Sequence, residues 1–310
     1  TCLLMQNNIF SKFFFIAFQL LGIFILTSLL VHLIPGDPIQ VMLGESSSLA
    51  DQNKLRSQLG LDQPIYIQLW RSFVQIINGD FGYSIINQTP VIDKLLEAIK
   101  NTYTLAITAL SIAIFFGISA GIAAAMYRDT FIDKIIINVS LVFISAPHFF
   151  LGPLLIILFS IWLGWLPVNG MGSSSSIILP ALTLALGLLA IIIKMTRNCM
   201  IEFIDSDVVR TAKAKGLDKW PIIIHHVLRL VLIPIVTIIG LQFGSLLSGA
   251  VITETLFSWD GLGRLLVESI QTRDYPITQA CVLIIAISYI GINLLTEVIY
   301  GLVDPRVKLK

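Results

Sequence analysis

The residues with most to offer chemically stand in one polar run, Asp205 to Pro234, which reads DSDVVRTAKAKGLDKWPIIIHHVLRLVLIP between two apolar stretches. Seven of the chain's 20 Lys and Arg fall between Lys194 and Arg229. The chemistry they offer is recognition: fixed cations on a short helix can pair with carboxylates on a partner. On physics alone the segment reads equally as a solvated loop whose charges only set topology. Catalysis has no comparable candidate. No nucleophile–base–acid set stands out, and no GxxxxGK[ST] phosphate loop occurs. Cys2, Cys199 and Cys281 lie far apart and fit neither a disulfide framework nor a CxxC metal pattern. His225 and His226 are adjacent and point about 100° apart on a helix, a poor geometry for holding one ion. No metal site is expected.

Local signals organise the run. Asp205, Ser206 and Asp207 can open a helix, with the acids at the positive end of its dipole. Val208 to Lys215 continues it, and Gly216 is the natural stop, since the residue after a helix often takes a left-handed conformation. Trp220-Pro221 then starts a second helix that re-enters an apolar run at Leu230–Pro234.

The elements around this segment are those of a membrane protein. The chain has 310 residues, 56% hydrophobic and 13% charged, with mean hydropathy +0.88. A soluble domain carries about 25% charged residues. Net charge of +1 argues against a nucleic-acid partner. Six stretches are long enough to cross about 30 Å of hydrocarbon: Phe13–Ile34, Thr102–Met126, Ile135–Leu163, Ile177–Ile193, Leu230–Thr253 and Gln279–Leu302. With both termini inside, the cytoplasmic segments hold 13 Lys and Arg and the exterior ones seven, five of which sit in one long loop. N-in and C-in follow. The first apolar run is too long for a signal peptide, and Met5 is the expected native start.

Four regions are expected: 1–34, the N-terminus and first span; 35–101, an exterior loop; 102–302, a five-helix core with the loop 194–229; and 303–310, a cytoplasmic tail. In the exterior loop, Pro64–Ile77 reads as a helix at the outer membrane interface or packed on the bundle, with a soluble cap helix as the alternative. Pro90–Lys100 reads as a second short amphipathic piece leading into the second span, and Ser173–Ser176 as a solvated turn.

Several polar residues are candidates for lining a path. Ser145-Ala146-Pro147-His148 should break the third span and turn backbone carbonyls inward. Pro147 and His148 are therefore candidates, although a packing role suits His148 too. Gln242, Ser245 and Ser248 share one side of the fifth span and either line a path or pack as small residues with Gly244 and Gly249. Glu254 should face a cavity, a partner or water, or else snorkel at the interface. Asn293 and Glu297 share a face of the last span.

The basic segment resembles the EAA loop of binding-protein-dependent ABC importer permeases, whose pattern is E-A-A, three residues, G and a later L-P. Arg210-Thr211-Ala212 stand at E-A-A, Gly216 at the glycine and Ile233-Pro234 at the closing pair. Arg in place of Glu is a departure, yet RTAKAKGL has the R-T-A-x-A-K-G-L form of the dipeptide, oligopeptide and nickel branch. HLIPGDP at 32–38, LGLDQP at 59–64, GDFG at 79–82, ETLFSWDGLG at 254–263, RDYP at 273–276 and DPR at 304–306 extend the resemblance along the whole chain. Asp260 stands where the family often has Pro.

The resemblance implies an all-α membrane protein of six transmembrane helices with the type I ABC importer permease fold. Its partners would be a second, homologous permease in a heterodimer, two cytoplasmic ATPase subunits holding ATP and Mg, an extracytoplasmic solute-binding protein, and the bilayer of a bacterial inner membrane. This chain would be a non-catalytic subunit without a cofactor of its own. Arg210, Thr211, Ala212, Lys213, Ala214, Lys215 and Gly216 would form the coupling helix that docks on the ATPase, with Ala212 and Gly216 permitting close approach. Trp259, Gly261, Gly263, Arg273 and Asp274 would belong to a loop facing the binding protein. Di- and oligopeptides are the expected cargo, with nickel or a metal chelate as the alternative. A secondary transporter, a channel or a scaffold for a cytoplasmic enzyme are the readings from other classes, and the ordered motifs argue against them.

Overall fold

A computed structural model of the chain describes residues 9–33, 39, 43, 48–58, 60, 62–204, 206–218 and 221–303. The described residues form helices in the order α1 (Ile9–Leu33), α2 (Leu49–Gln58), α3 (Ile65–Ile77), α4 (Val91–Met126), α5 (Phe131–Ser145) and α6 (His148–Leu155). They continue with α7 (Ile178–Ile204), α8 (Asp207–Ala214), α9 (Leu228–Phe257), α10 (Leu262–Gln271) and α11 (Tyr275–Val303). Wider π-type turns prolong α6 over Ile156–Trp162 and precede α9 over Ile222–Val227. Among the described residues the only extended pairing is one bridge, Tyr83 with Pro90.

Among the described residues three helical stretches are single rods long and apolar enough to cross a bilayer: α4, Ser174–Ile204 and Tyr275–Ile299. Two bent pairs would raise the total to five, α5 with Phe149–Trp162 at 116° and the halves Leu230–Gly244 and Gly249–Phe257 of α9 at 61°. With α1, whose apolar part is Phe14–Leu29, these fall on the six stretches expected from the sequence.

Two boundaries differ from expectation. The amphipathic piece that leads into the second span is one helix with it: α4 runs unbroken for 36 residues from Val91, about 54 Å. The polar pair Asn101-Thr102 does not interrupt it because both side chains are used in tertiary bonds. The Asn101 amide donates to the Asp260 carbonyl at 2.8 Å, and the Leu262 N–H donates to the Thr102 hydroxyl at 2.8 Å. Likewise the fourth span, expected to end at Ile193, continues as helix to Ile204. Ser173–Ser176 is not merely solvated either, since Ser173 and Ser176 form a reciprocal capping box at the head of α7 and Ser176 is buried.

The described chain divides into two compact units, one reaching from the N-terminal helices to Thr102 together with Asp260–Ile290, the other Tyr103–Trp259 with the residues from Gly291. The first has a core where the head of α4 meets α10 and α11, through Val91, Leu95, Leu262, Ile277 and Cys281. The second is built where α4, α7 and α9 meet, through Leu105, Ala109, Ala113, Leu184, Leu188 and Leu246. Small residues let α4 and α7 approach closely. A Cβ added at Gly117 would lie 2.8 Å from Ile192 Cγ2, and one at Gly121 would lie 2.5 Å from Thr196 Cβ and 2.9 Å from the Ile193 carbonyl oxygen. Such small-xxx-small contacts bind helices in lipid, where the hydrophobic effect gives no net attraction between them.

Gly121→Val is therefore expected to lower the thermal midpoint of the purified protein, by an overpacking penalty of about 1–3 kcal/mol. Gly22→Ala, where an added Cβ meets nothing within 4 Å, should leave it unchanged. Equal midpoints for the two variants in a detergent unfolding assay would refute the contact.

Candidate functional site

The basic segment is an ordered helix with two unlike faces. Ser206 takes the extended conformation of an N-cap, but its hydroxyl donates back to the Phe203 carbonyl at 2.6 Å and makes no cap bond. Asp205 lies outside the described residues. At the other end Gly216 has φ of +77°. Its N–H donates to the Lys213 carbonyl at 3.0 Å and the Leu217 N–H to the Ala212 carbonyl at 3.3 Å, which closes the helix end in a Schellman motif. The sequence-based stop at Gly216 is thus found in the backbone.

One face of α8 is spent on the chain itself. Val209 and Ala212 are buried against Cys199 and Met200 at the end of α7 and against Ile222, Ile223 and Val227 ahead of α9. This corrects the role expected of Ala212: its methyl faces the chain's own core and cannot admit a partner. Arg210, Thr211, Lys213, Ala214, Lys215 and Gly216 are exposed. Arg210 makes only a solvated pair with Asp207 at 3.5 Å. Nothing lies within 4 Å of a Cβ built at Gly216, so within this chain the glycine answers to its backbone angle and not to crowding. Trp220 and the side chains of His225 and His226 lie outside those described.

Not every cation of the basic region is available to a partner. Arg197, on α7, is paired in bidentate fashion with Asp133 in the first turn of α5: Nε to Oδ1 at 2.6 Å and Nη2 to Oδ2 at 2.7 Å. The Asp133 side chain is 4% exposed and that of Arg197 20%. The Asp129 N–H adds a third bond to Asp133 Oδ2 at 3.0 Å. Sequence reasoning counted Arg197 as a free positive charge and passed over Asp133, because 64 positions separate the two and no local spacing announces the pair.

The path candidates separate. Pro147 and Gln242 line one cavity of about 300 Å³ with Phe143, Ser145, Leu188 and Leu246. Its wall is the break between α5 and α6, where Ala146 and Pro147 are extended. The side chains of His148, Ser245 and Ser248 lie outside those described. Glu254 is fully buried and does not line this cavity, which rules out snorkelling. Asn293 is exposed on α11, and Glu297 half-buried.

Of the residues expected to face a binding protein, Trp259, Gly261, Gly263 and Asp274 are buried and Arg273 is half-buried. In the second unit, Trp259 is buried in the α4–α7–α9 core. It is drawn there by the end of α9, where Ser258 is left-handed at φ 52° and the Trp259 N–H donates to the Glu254 carbonyl at 2.8 Å. In the first unit, Gly261 and Gly263 are buried at the head of α10. Asp274 is 2% exposed: its carboxylate accepts the Ser84 hydroxyl and, at 3.1 Å, the Ile85 N–H. Arg273 is half-buried in a left-handed conformation at φ 57°. Asp274 therefore pins the 83–90 loop to the head of α11, a structural task that the RDYP motif did not disclose. Exposed carboxylates on this loop are Asp260 and Glu268, bridged by Arg264 at 2.8 and 2.7 Å.

Helices, cavity and basic projection define a class, and comparison with known proteins agrees. Residues 113–309 match the family described as binding-protein-dependent transport system inner membrane component, and residues 5–106 match its N-terminal region. The chain belongs to that family. It is 39% identical over 306 residues to the glutathione transport system permease protein GsiC of Escherichia coli K12 and of Salmonella paratyphi A, covering 99% of this chain and 100% of each relative. An inward-facing MetNI methionine ABC transporter superposes with a TM-score of 0.59 at 16% identity, over 69% of this chain and 97% of that one. An amino acid ABC transporter crystallised with histidines gives 0.52 at 15% identity, over 67% and 94%. The fold is that of the type I ABC importer permeases. The chain is a membrane-spanning, non-catalytic permease subunit of an ABC importer.

Removing one member of a buried ion pair leaves the other charge uncompensated, at about 3–5 kcal/mol. Asp133→Ala and Arg197→Ala should each lower the thermal midpoint strongly, whereas the double variant should lose clearly less than their sum. Additive losses in a double-mutant cycle would show that the two side chains do not act as a pair.

Proposed function

We propose that this subunit forms one half of the membrane path of an ATP-driven importer for short peptides and that α8 is the element through which ATPase subunits move it. The observation that carries the proposal is the division of α8 into a buried underside, Val209 and Ala212, and an exposed basic top ending at Gly216. A helix seated in its own chain's core on one side and presenting cations on the other can transmit a push. A solvated loop cannot. The remaining partners follow from this role: a second permease completing the path, two ATPases with ATP and Mg on the cytoplasmic side, and a solute-binding protein outside. Both termini are then cytoplasmic in a bacterial inner membrane. Relatives named for glutathione, itself a tripeptide, support a short peptide as cargo.

The path is the cavity beside Ser145-Ala146-Pro147, with Gln242 as the polar side chain opposite the break. Non-helical backbone at membrane depth is tolerated where it lines a cavity or is buried in protein.

The test is pull-down from mild detergent with mass spectrometry, followed by ATPase assays of the reconstituted complex with glutathione, dipeptides, longer peptides and nickel, each with its binding protein. A second permease and ATPase subunits should be recovered, and a short peptide should stimulate hydrolysis. Stimulation by nickel alone would overturn the cargo, and recovery of the chain alone from cells expressing the ATPases would overturn the whole proposal. Within that assay Gly216→Val should insert normally yet lose at least about tenfold in substrate-stimulated hydrolysis, since a β-branched residue is strained in the left-handed region by about 1–3 kcal/mol. Gly216→Asn, which tolerates that conformation, should keep most of it. Wild-type transport by Gly216→Val would sink the docking role.

A further inference from the structure

Helix α3 carries three faces, and one of them is unaccounted for. Leu69, Phe73 and Ile76 form a half-buried underside, and the Phe73 ring meets Phe24 of α1 at 5.6 Å. The polar side is tied to the preceding loop: Gln68 Nε2 donates to the Gln63 carbonyl at 2.8 Å, and the Arg71 guanidinium lies over Gly60. The third face is a stripe at helical spacing, Tyr66, Trp70, Val74 and Ile77, exposed by 70, 68, 39 and 67%. No residue of this 13-residue helix is buried, and its single charge, Arg71, points away from the stripe.

We infer that this stripe lies in the outer leaflet of the bilayer and that α3 is a lipid-facing anchor beside α1. Three observations select lipid as the occupant. The first is place: Phe24, which the Phe73 ring meets, belongs to the apolar stretch Phe14–Leu29 of α1. A helix packed on an apolar span lies beside the hydrocarbon that surrounds that span. The second is composition: Tyr and Trp with aliphatic neighbours and no charge is the make-up of the membrane–water boundary. The third is continuity, since the stripe borders a helix that itself exposes Phe18, Ile25, Leu26 and Leu29. The anchor would fix the exterior loop to the membrane plane whether or not substrate is present, so it does not depend on the proposed cargo.

The inference is tested on the assembled importer in lipid nanodiscs by spin labelling. With the native cysteines replaced, single labels at Trp70→Cys and Tyr66→Cys are compared with one at Gln75→Cys on the polar side. The expected result is a several-fold higher collision ratio of oxygen to the water-soluble nickel chelate at positions 66 and 70 than at 75. It should be unchanged when the binding protein is added. An aqueous ratio at 66 and 70 would overturn the inference, as would shielding of both positions from both reagents, which means a protein covers the stripe. If the labelled variants fail to assemble, brominated phospholipid serves on the unlabelled protein. It should quench wild-type fluorescence more than that of Trp70→Phe, and equal quenching would overturn the anchor.

Discussion

Hydrocarbon supplies no hydrogen bonds to a peptide backbone, and the architecture of this chain follows from that constraint. Helices close their own ends before meeting water. After α3, α8, α9 and α10 the same pair of backward bonds recurs, around left-handed residues Gly79, Gly216, Ser258 and Arg273. Two of the four are not glycine and carry the cost of that conformation, which marks the ends of α9 and α10 as places where side chains were kept despite strain. The sharper of the two breaks inside expected spans, at Ala146 and Pro147, borders a cavity of about 300 Å³. Even there the Ala146 N–H reaches the Val142 carbonyl at 3.0 Å and the Phe150 N–H the Pro147 carbonyl at 3.0 Å.

Side chains obey the same rule. The hydroxyls of Thr27, Thr108, Ser111, Ser119, Thr183, Thr255 and Thr296 each donate to the carbonyl four residues earlier, so polar residues sit in apolar helices without a bare donor. Thr196 departs from this. Its buried hydroxyl has no hydrogen-bond partner at the point where α4 presents Gly121 to α7. Close contact between backbones there takes precedence over satisfying one hydroxyl. The buried Asp133 is compensated too, with a bidentate guanidinium and a backbone N–H upon it, the condition under which a buried ion pair is tolerable.

Elements governed by local composition were legible in the sequence. The apolar runs, the helix after Pro64, and α8 with its stop at Gly216 all depend on hydropathy, on proline's fixed φ or on glycine's freedom, and each lies within a few residues of its cause. What escaped depends on partners far along the chain. Asn101-Thr102 reads as a helix boundary until Asp260 and Leu262 take up its polar groups. Asp274 reads as an exposed loop acid until Ser84 and Ile85 arrive 190 and 189 positions away. Ala212 and Trp259 were assigned outward by the resemblance, and only the packing shows that both turn in. Periodicity gives the spacing of a helix face, not which face is covered.

The buried side of α8 gives the segment a mechanical meaning. Its seat is made of the last turns of α7 and the approach to α9, and these same two helices supply Leu184, Gly187, Leu188 and Ile191, and Gln242 and Leu246, to the cavity. From Met200 to Leu188 is about 18 Å of continuous helix, and from Val231 to Gln242 about 17 Å. Between seat and cavity α7 is unbroken, and α9 is helical with Pro234 inside it. The 61° bend of α9 separates Leu230–Gly244 from Gly249–Phe257, so it does not interrupt the helix between Val231 and Gln242. The ion pair between Asp133 and Arg197 ties α5 to the same assembly, and α5 ends at the break that forms the cavity's other wall. Motion applied to α8 would thus reach both walls through rigid helices, with no chain of rearranging side chains required.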